Sequence, residues 1–199
     1  EIKALKEANK NKVISIPKNE GADFKEQALF IDPYVMGLYL GDGCYSQSHM
    51  GYLHLTMALE DIEELEKYIP YRLEKSTYRE ISHRVHIVES DSSTINMSRT
   101  ILTMYGLQEK SSTNKFIPKE YLFNSRENRI KLLKGLMDSD GTICVQGISE
   151  YCTKSEKLKD DFVFLCRSLG INCSVYLKTF HREDNVYYRV KLHVKRDDI

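Results

Sequence analysis

Gly37-Leu38-Tyr39-Leu40-Gly41-Asp42-Gly43 and Gly135-Leu136-Met137-Asp138-Ser139-Asp140-Gly141 are two copies of one pattern, 98 residues apart. Each closes an apolar run that reads as a helix. Asp32-Pro33 starts the first: Asp caps free N–H groups and Pro suits the first helical position. Ser125 caps the second, which runs from Arg126 to Ser139. Gly37 and Gly41 lie four apart and share one helix face, as do Gly135 and Ser139. Small residues at that spacing let two helix backbones approach closely, so these four form the expected helix interface. If the helices pack together, Asp42 and Asp140 meet at a shared C-terminal end. A helix C-terminus already carries partial negative charge, and two carboxylates there repel. Divalent cations bound between them relieve both problems. Carboxylate oxygens with a few waters suit Mg²⁺. Paired sites of this kind stabilise the attacking and leaving oxygens of a phosphoryl displacement. Plainer readings stand beside this one. A single Gly-Asp-Gly is more often a turn after a helix than a metal site, and small-residue faces also serve packing alone. Recurrence of all these features in matching contexts favours the functional reading. A calcium loop is excluded, because from Asp138 Gly falls fourth rather than sixth and Ser149 stands twelfth where Glu is needed.

The contexts match because each copy is followed by a strand, an amphipathic helix and further strands, the signature of an internal duplication. In the first half, Tyr52-Leu53-His54-Leu55-Thr56 alternates as a strand. From Leu59 to about Leu73 apolar residues recur at Leu59, Ile62, Leu65 and Ile69, which predicts a helix with its acidic face outward. Residues 79 to 88 read as a strand with Ile81, Val85 and Ile87 on one face and Glu80, Ser82, Arg84 and His86 on the other. A helix of about Arg99 to Leu107 follows. In the second half a strand follows Gly141. Thr153-Lys154-Ser155-Glu156 then reads as a capping box. The next helix sets Leu158, Phe162, Leu165 and Leu169 on one face and stops at Gly170. Strands of about 172–180 and 186–194 close the chain. Val186, Tyr188, Val190, Leu192 and Val194 are expected inward, with Tyr187, Arg189, Lys191 and His193 outward; Tyr176 and Lys178 alternate with Val175 and Leu177.

The chain has 199 residues, with 29 basic and 29 acidic side chains and no net charge. Neutrality alone argues mildly against nucleic acid binding. Yet Glu60, Asp61, Glu63, Glu64 and Glu66 fall in one short stretch, and outside it basic residues are in excess. One acidic outer surface and one basic working surface are therefore compatible with a zero total. The composition excludes collagen and a mostly disordered chain. The longest uncharged apolar stretch, Tyr34 to Gly41, is far too short to span a membrane. The charged N-terminus has no signal core, and five Cys without a C-x-x-C pair suggest a reduced protein without structural zinc. An intracellular, cytoplasmic and non-secreted location is expected. No helical H-x-x-x-H pair or Ser/His/Asp order points to protease chemistry.

The two motifs resemble the paired signatures of the LAGLIDADG, or dodecapeptide, homing endonucleases. Leu133 to Gly141 differs from the nine-letter name only at Lys134, Met137 and Ser139. The first copy is looser, with Leu40 in place of the earlier Asp, which is not the metal ligand. Lys115-Phe116-Ile117-Pro118, with Lys115 lying 25 residues before Asp140, resembles the Lys-x-Ile-Pro block of intein-borne endonucleases. The resemblance covers roughly residues 30 to 199. It implies an α+β fold of two pseudo-symmetric αββαββα-type repeats, each placing a saddle-shaped antiparallel sheet over the DNA major groove. It implies a lead-in over residues 1–28, a first half over 29–124 and a second over 125–199. Val13-Ile14-Ser15-Ile16-Pro17 also looks like the segment joining an intein's splicing domain to its endonuclease. The counterpart of Lys115 would fall beyond residue 199, which leaves three expectations open: a missing C-terminal part, an intein fragment, or a naturally shorter second half.

The implied activity is a double-strand break at a long asymmetric site by Mg²⁺-dependent phosphodiester hydrolysis, with Mn²⁺ able to substitute. Asp42 and Asp140 would hold the metal, with Gly41 and Ser139 beside them in the metal set. Lys115 would be the third active-site residue; an exposed loop lysine is its plainer reading. The resemblance places Arg84, His86, Tyr176, Lys178, Arg189, Lys191 and His193 on the DNA-binding face. The expected partner is double-stranded DNA, bound by a monomer with pseudo-twofold symmetry, embedded in or derived from an intein, and with no membrane. The acidic 60–66 stretch should lie on the outer side, away from phosphate. The alternative is a cleavage-deficient scaffold of the same fold that binds DNA or RNA as a maturase or regulator.

Overall fold

The computed structural model describes residues 20–45, 53–75, 82–86, 97–143, 148–179 and 186–193. Val13-Ile14-Ser15-Ile16-Pro17 lies outside the described residues, as do Ile81, Ile87 and Val194. Helix α1 (Pro33–Asp42) starts as its sequence dictates: Asp32 Oδ1 accepts from the N–H groups of Tyr34 at 2.8 Å and Val35 at 3.4 Å. It is buried from Pro33 to Leu40, as an apolar circumference requires. Strands β1 (Gly43–Tyr45) and β2 (Leu53–Thr56) follow. Helix α2 (Leu59–Leu65) then tightens into a 3₁₀ turn over Glu66–Tyr68. Strands β3 (Arg72–Lys75) and β4 (Ser82–His86), and helices α3 (Met97–Met104) and α4 (Lys119–Leu122), lead to the second long helix, α5 (Arg126–Asp140). After α5 come β5 (Gly141–Ile143), β6 (Ser149–Thr153), helix α6 (Glu156–Ser168), β7 (Asn172–Thr179) and β8 (Val186–His193).

Both sheets are antiparallel throughout and have the same strand order, β1-β2-β4-β3 and β5-β6-β8-β7. The molecule is thus an α+β fold in which one arrangement occurs twice. The period of two sends Leu53, Leu55 and Val85 of the first sheet, and Tyr151, Val190 and Leu192 of the second, into a continuous core with α1, α3, α5 and α6. Tyr151 stacks on Phe162 of α6 with ring centroids 4.1 Å apart. Between the sheets α1 and α5 run parallel and pack backbone to backbone. A Cβ added to Gly135 would stand 2.0 Å from the Tyr34 carbonyl oxygen, and one on Gly37 2.5 Å from that of Leu132.

The expected elements need five corrections. The helix from Leu59 does not reach Leu73. Pro70 disfavours helical backbone at the residue before it, and Ile69 is extended at φ −95°, ψ 111°. The chain therefore turns into β3, which carries Leu73 to the core side and Arg72 to the other. The cap of α6 is Ser155, whose Oγ accepts from Leu158 N–H at 3.1 Å, rather than Thr153. Thr153 belongs to β6, where it pairs with Tyr188, and its hydroxyl accepts from Ser155 N–H. The α3 helix lies two to three residues earlier than expected, and the four-residue α4 had no signal. Val175 and Leu177 share the inward register of Val190 and Tyr188, yet are 43% and 68% exposed, because β7 extends beyond the helix layer.

Arg129 of α5 is fully buried and ties three segments together. Its Nε donates to Asn124 O, its Nη1 to Ser168 O and Oγ, and its Nη2 to Ala22 O. Replacing it by Leu removes these bonds; Ser168 O keeps the Ala22 N–H. Arg129→Leu is expected to lower stability by roughly 3 kcal/mol, read as a shifted denaturation midpoint; an unchanged midpoint would refute this structural role.

Candidate active site at the paired helix termini

Both long helices end on an aspartate and pass directly into a strand. Gly43 N–H still bonds to Tyr39 O, and Gly141 N–H to Met137 O, while each glycine is already extended. No connecting loop separates Asp42 from β1 or Asp140 from β5. Gly41 brings the two ends together: a Cβ there would lie 2.1 Å from Ser139 Oγ and 3.3 Å from Asp140 Oδ2. The Ser139 hydroxyl turns back on its own helix, to the carbonyls of Gly135 and Leu136, each at 3.0 Å.

Lys115 reaches this place from the segment between α3 and α4. It is 4% exposed. Its Nζ donates to Tyr39 O at 2.9 Å, Gly41 O at 3.2 Å and Gly43 O at 2.7 Å. An ammonium has three protons, so three carbonyls at the end of α1 use all of them. The cation also offsets the negative end of that helix. Lys115 is fastened in turn from α6: Ser155 Oγ donates to Lys115 O at 2.6 Å, and buried Asp161 accepts from Ile117 N–H at 3.0 Å.

The electrostatics follow from burial. Burial and the neighbouring charge of Asp42 push the Asp140 carboxyl up from 3.8 to about 6, with Lys115 opposing. Burial raises Asp42 as well; Lys115 opposes this and Asp61 adds to it. Burial pushes the Lys115 ammonium down to about 8, against the charges of Asp140, Cys44 and Asp42. Asp61 of the acidic stretch is therefore within electrostatic reach of the site. Two carboxylates facing one ammonium leave a negative charge that a cation can neutralise. The carboxylate oxygens are hard donors, and the pair fits a divalent ion that keeps several waters. Among the described residues no group of three or more His, Cys, Asp or Glu side chains forms a denser cluster.

The face of the second sheet that points away from the helices is set by register. Tyr176 lies opposite Arg189, Lys178 opposite Tyr187, Ser174 opposite Lys191 and Asn172 opposite His193. Tyr176, Lys178, Arg189, Lys191 and His193 thus share one face. His193 Nε2 and Ser174 Oγ are 2.7 Å apart. In the first sheet Arg84 and His86 are described by register alone: Arg84 pairs with His54 and Glu74, and His86 with Arg72. Sequence reasoning missed Arg72, which it placed in the tail of a helix, and Glu150, which bonds to Arg189. Pro70 followed by the alternation Tyr71-Arg72-Leu73-Glu74-Lys75 was the available signal for Arg72.

With this geometry in hand, the class is defined first by the fold. Three structures of the homing endonuclease I-DmoI are similar to this chain. Mesophilic variants of I-DmoI give a TM-score of 0.51 at 14% identity, over 83% of this chain and 89% of that one. I-DmoI in complex with DNA and Mn gives 0.51 at 15%, over 82% and 89%. The complex with DNA and Ca gives 0.51 at 16%, over 83% of each. The chain has the α+β fold of this LAGLIDADG endonuclease. Among curated proteins, the replicative DNA helicase DnaB of Mycobacterium intracellulare is 28% identical over 164 residues, which is 82% of this chain. The chain spans 23% of that relative's length. No family model matches the sequence, and no helix among the described residues is long and apolar enough to cross a membrane.

Proposed function

We propose that this chain is a site-specific DNA endonuclease of the homing type, making a double-strand break at a long asymmetric site by Mg²⁺-dependent hydrolysis. The observation that carries the reading is the meeting of Asp42 and Asp140 at two parallel helix ends, each joined without a loop to its own antiparallel sheet. The unit binds double-stranded DNA as a monomer, its halves over residues 29–124 and 125–199 related by pseudo-twofold symmetry. The short stretch shared with a much longer replicative helicase supports an origin as an element embedded in a host protein, as in an intein. The I-DmoI complexes with DNA and with Mn or Ca support the partner and the cofactor class.

Asp42 and Asp140 would hold the divalent cation, which when bound would supply Lewis acidity for water attack and for the departing oxygen. Gly37, Gly41, Gly135 and Ser139 keep the two carboxylates together through close helix packing. Lys115 has no proton left for phosphate, so it acts as a positioning residue. It fixes the end of α1 and keeps Asp42 and Asp140 ionised by its charge. Lys115→Met is expected to lower stability by about 2–3 kcal/mol, to slow cleavage at least 10-fold, and to raise the Asp140 carboxyl further. Side-chain NMR titration of Asp140 checks this; an unmoved titration sinks the electrostatic part.

The function is tested by incubating the chain with Mg²⁺ and a randomised or host-derived DNA library, beside the Asp42→Asn/Asp140→Asn double variant. Cuts at one long site, absent with the variant, are expected. The full engagement of Lys115 with backbone favours one second reading, a cleavage-deficient binding scaffold. Salt-sensitive binding of one nucleic acid by both proteins, with no cuts, would establish that reading instead.

A further inference from the structure

Glu150 and Arg189 form an ion pair on the outward face of the second sheet, with Arg189 Nη1 at 3.0 Å from Glu150 Oε2. The register explains their meeting. Glu150 lies opposite Lys191 and Cys152 opposite Arg189, so Glu150 reaches its partner diagonally across β6 and β8. The guanidinium is thus held by Glu150 and flanked by Cys152, its ladder partner on β6, and by Tyr176 on β7. The side chains are 39% and 32% exposed, so the pair is held in place yet open to a ligand.

Charge makes Glu150 stand out. The described residues of this face carry Lys178, Arg189, Lys191 and His193, and Glu150 is their sole acid. On a surface that only neutralises phosphate, a carboxylate weakens binding and reduces the salt dependence. An exposed ion pair contributes little to stability, typically 1 kcal/mol or less. Neither phosphate binding nor folding therefore accounts well for Glu150. Base recognition does. One bond to Glu150 leaves other N–H groups of the Arg fork for a second acceptor. Guanine offers O6 and N7 to Arg in the major groove, and its paired cytosine offers an N4 amino group to a carboxylate. In a G·C pair these atoms lie side by side.

We propose that Glu150 and Arg189 together read one G·C base pair of the DNA target. This rests on the DNA-binding reading above. Arg189 donates to guanine, Glu150 accepts from cytosine, and Glu150 restrains Arg189 from swinging to a phosphate. An A·T pair still offers single acceptors and an amino donor, but it lacks the adjacent O6 and N7 acceptors of guanine: adenine sets an amino group beside N7, which opposes one arm of the guanidinium.

The test uses the target from the library selection and every single-base-pair variant of it, measured for binding in Ca²⁺ by the full chain, Glu150→Gln and Arg189→Lys. The wild type is expected to prefer G·C at one position by about 5- to 150-fold. Both variants should lose that preference to within about threefold, while their profiles at other positions stay unchanged. Arg189→Lys keeps the charge and loses the fork, so its loss separates readout from electrostatics. Circular dichroism confirms that each variant folds. If the wild type binds its target but Glu150→Gln leaves the profile unchanged, or scales all positions equally, the pair is a surface ion pair only. If the wild type binds no DNA at all, the underlying reading falls, and this proposal with it.

Discussion

Gly135→Ala is expected to destabilise the protein by roughly 3–5 kcal/mol, a large part of the total stability of a domain. Two effects of opposite sign compete here. Inside a helix Ala is favoured over Gly by about 1 kcal/mol. Against this, the new methyl would sit 2.0 Å from Tyr34 O and 3.0 Å from Gly37 Cα. Both are backbone atoms and cannot rotate away. The helices must separate, opening a core that includes Val35, Leu38, Leu132 and Leu136. Separation also moves Asp42 away from Asp140, so residual folded protein should cleave poorly. Urea denaturation measures the first effect. A midpoint equal to or above that of the wild type would show that the helices do not meet at this glycine.

Asp140→Asn is expected to abolish cleavage, with a loss of at least about 10²-fold, and yet to stabilise the metal-free protein. The sign follows from linkage. Burial and Asp42 raise the Asp140 carboxyl in the folded state from 3.8 to about 6. The folded state therefore binds this proton more tightly than the unfolded chain. Its stabilising contribution is complete below about pH 4 and is lost as pH rises through about 6. Full conversion of that shift gives about 3 kcal/mol; partial solvent access reduces it to roughly 1–2 kcal/mol. Metal-free wild type should therefore lose stability between about pH 4 and 6 relative to Asp140→Asn, whose amide does not titrate. Mg²⁺ should raise the Tm of the wild type and leave the variant nearly unmoved. Thermal melts with and without Mg²⁺ at several pH values decide the matter. Equal Mg²⁺ responses in both proteins would exclude Asp140 as a ligand.

The helix pair was legible in the sequence because its signals are local. Asp32-Pro33 and Ser125 announce the starts, and the four-residue spacing of Gly37, Gly41, Gly135 and Ser139 announces the contact. Elements whose signals are not local escaped. β1 begins on the residue directly after the last of α1, so Gly43 read as a turn. β3 was hidden because the apolar period of α2 runs on across Pro70. Lys115 was named through its motif, but its three acceptors lie 72 to 76 residues away, and only the fold discloses them. The alternation of β8 placed Arg189, Lys191 and His193 on one face. It could not disclose Glu150 as Arg189's partner, because that pairing depends on the register between β6 and β8.

The fastening of Lys115 bears on protein engineering. Its side chain clasps the end of α1, while its backbone is anchored by Ser155 and Asp161 of α6. Hybrids that join the amino-terminal part of this chain to the carboxyl-terminal part of a relative must therefore carry more than a compatible glycine seam. They must also supply a hydroxyl at the cap of the incoming α6 and a carboxylate in its middle. A graft lacking them would leave the lysine's loop unmoored and the aspartate pair misaligned, even with both sheets intact.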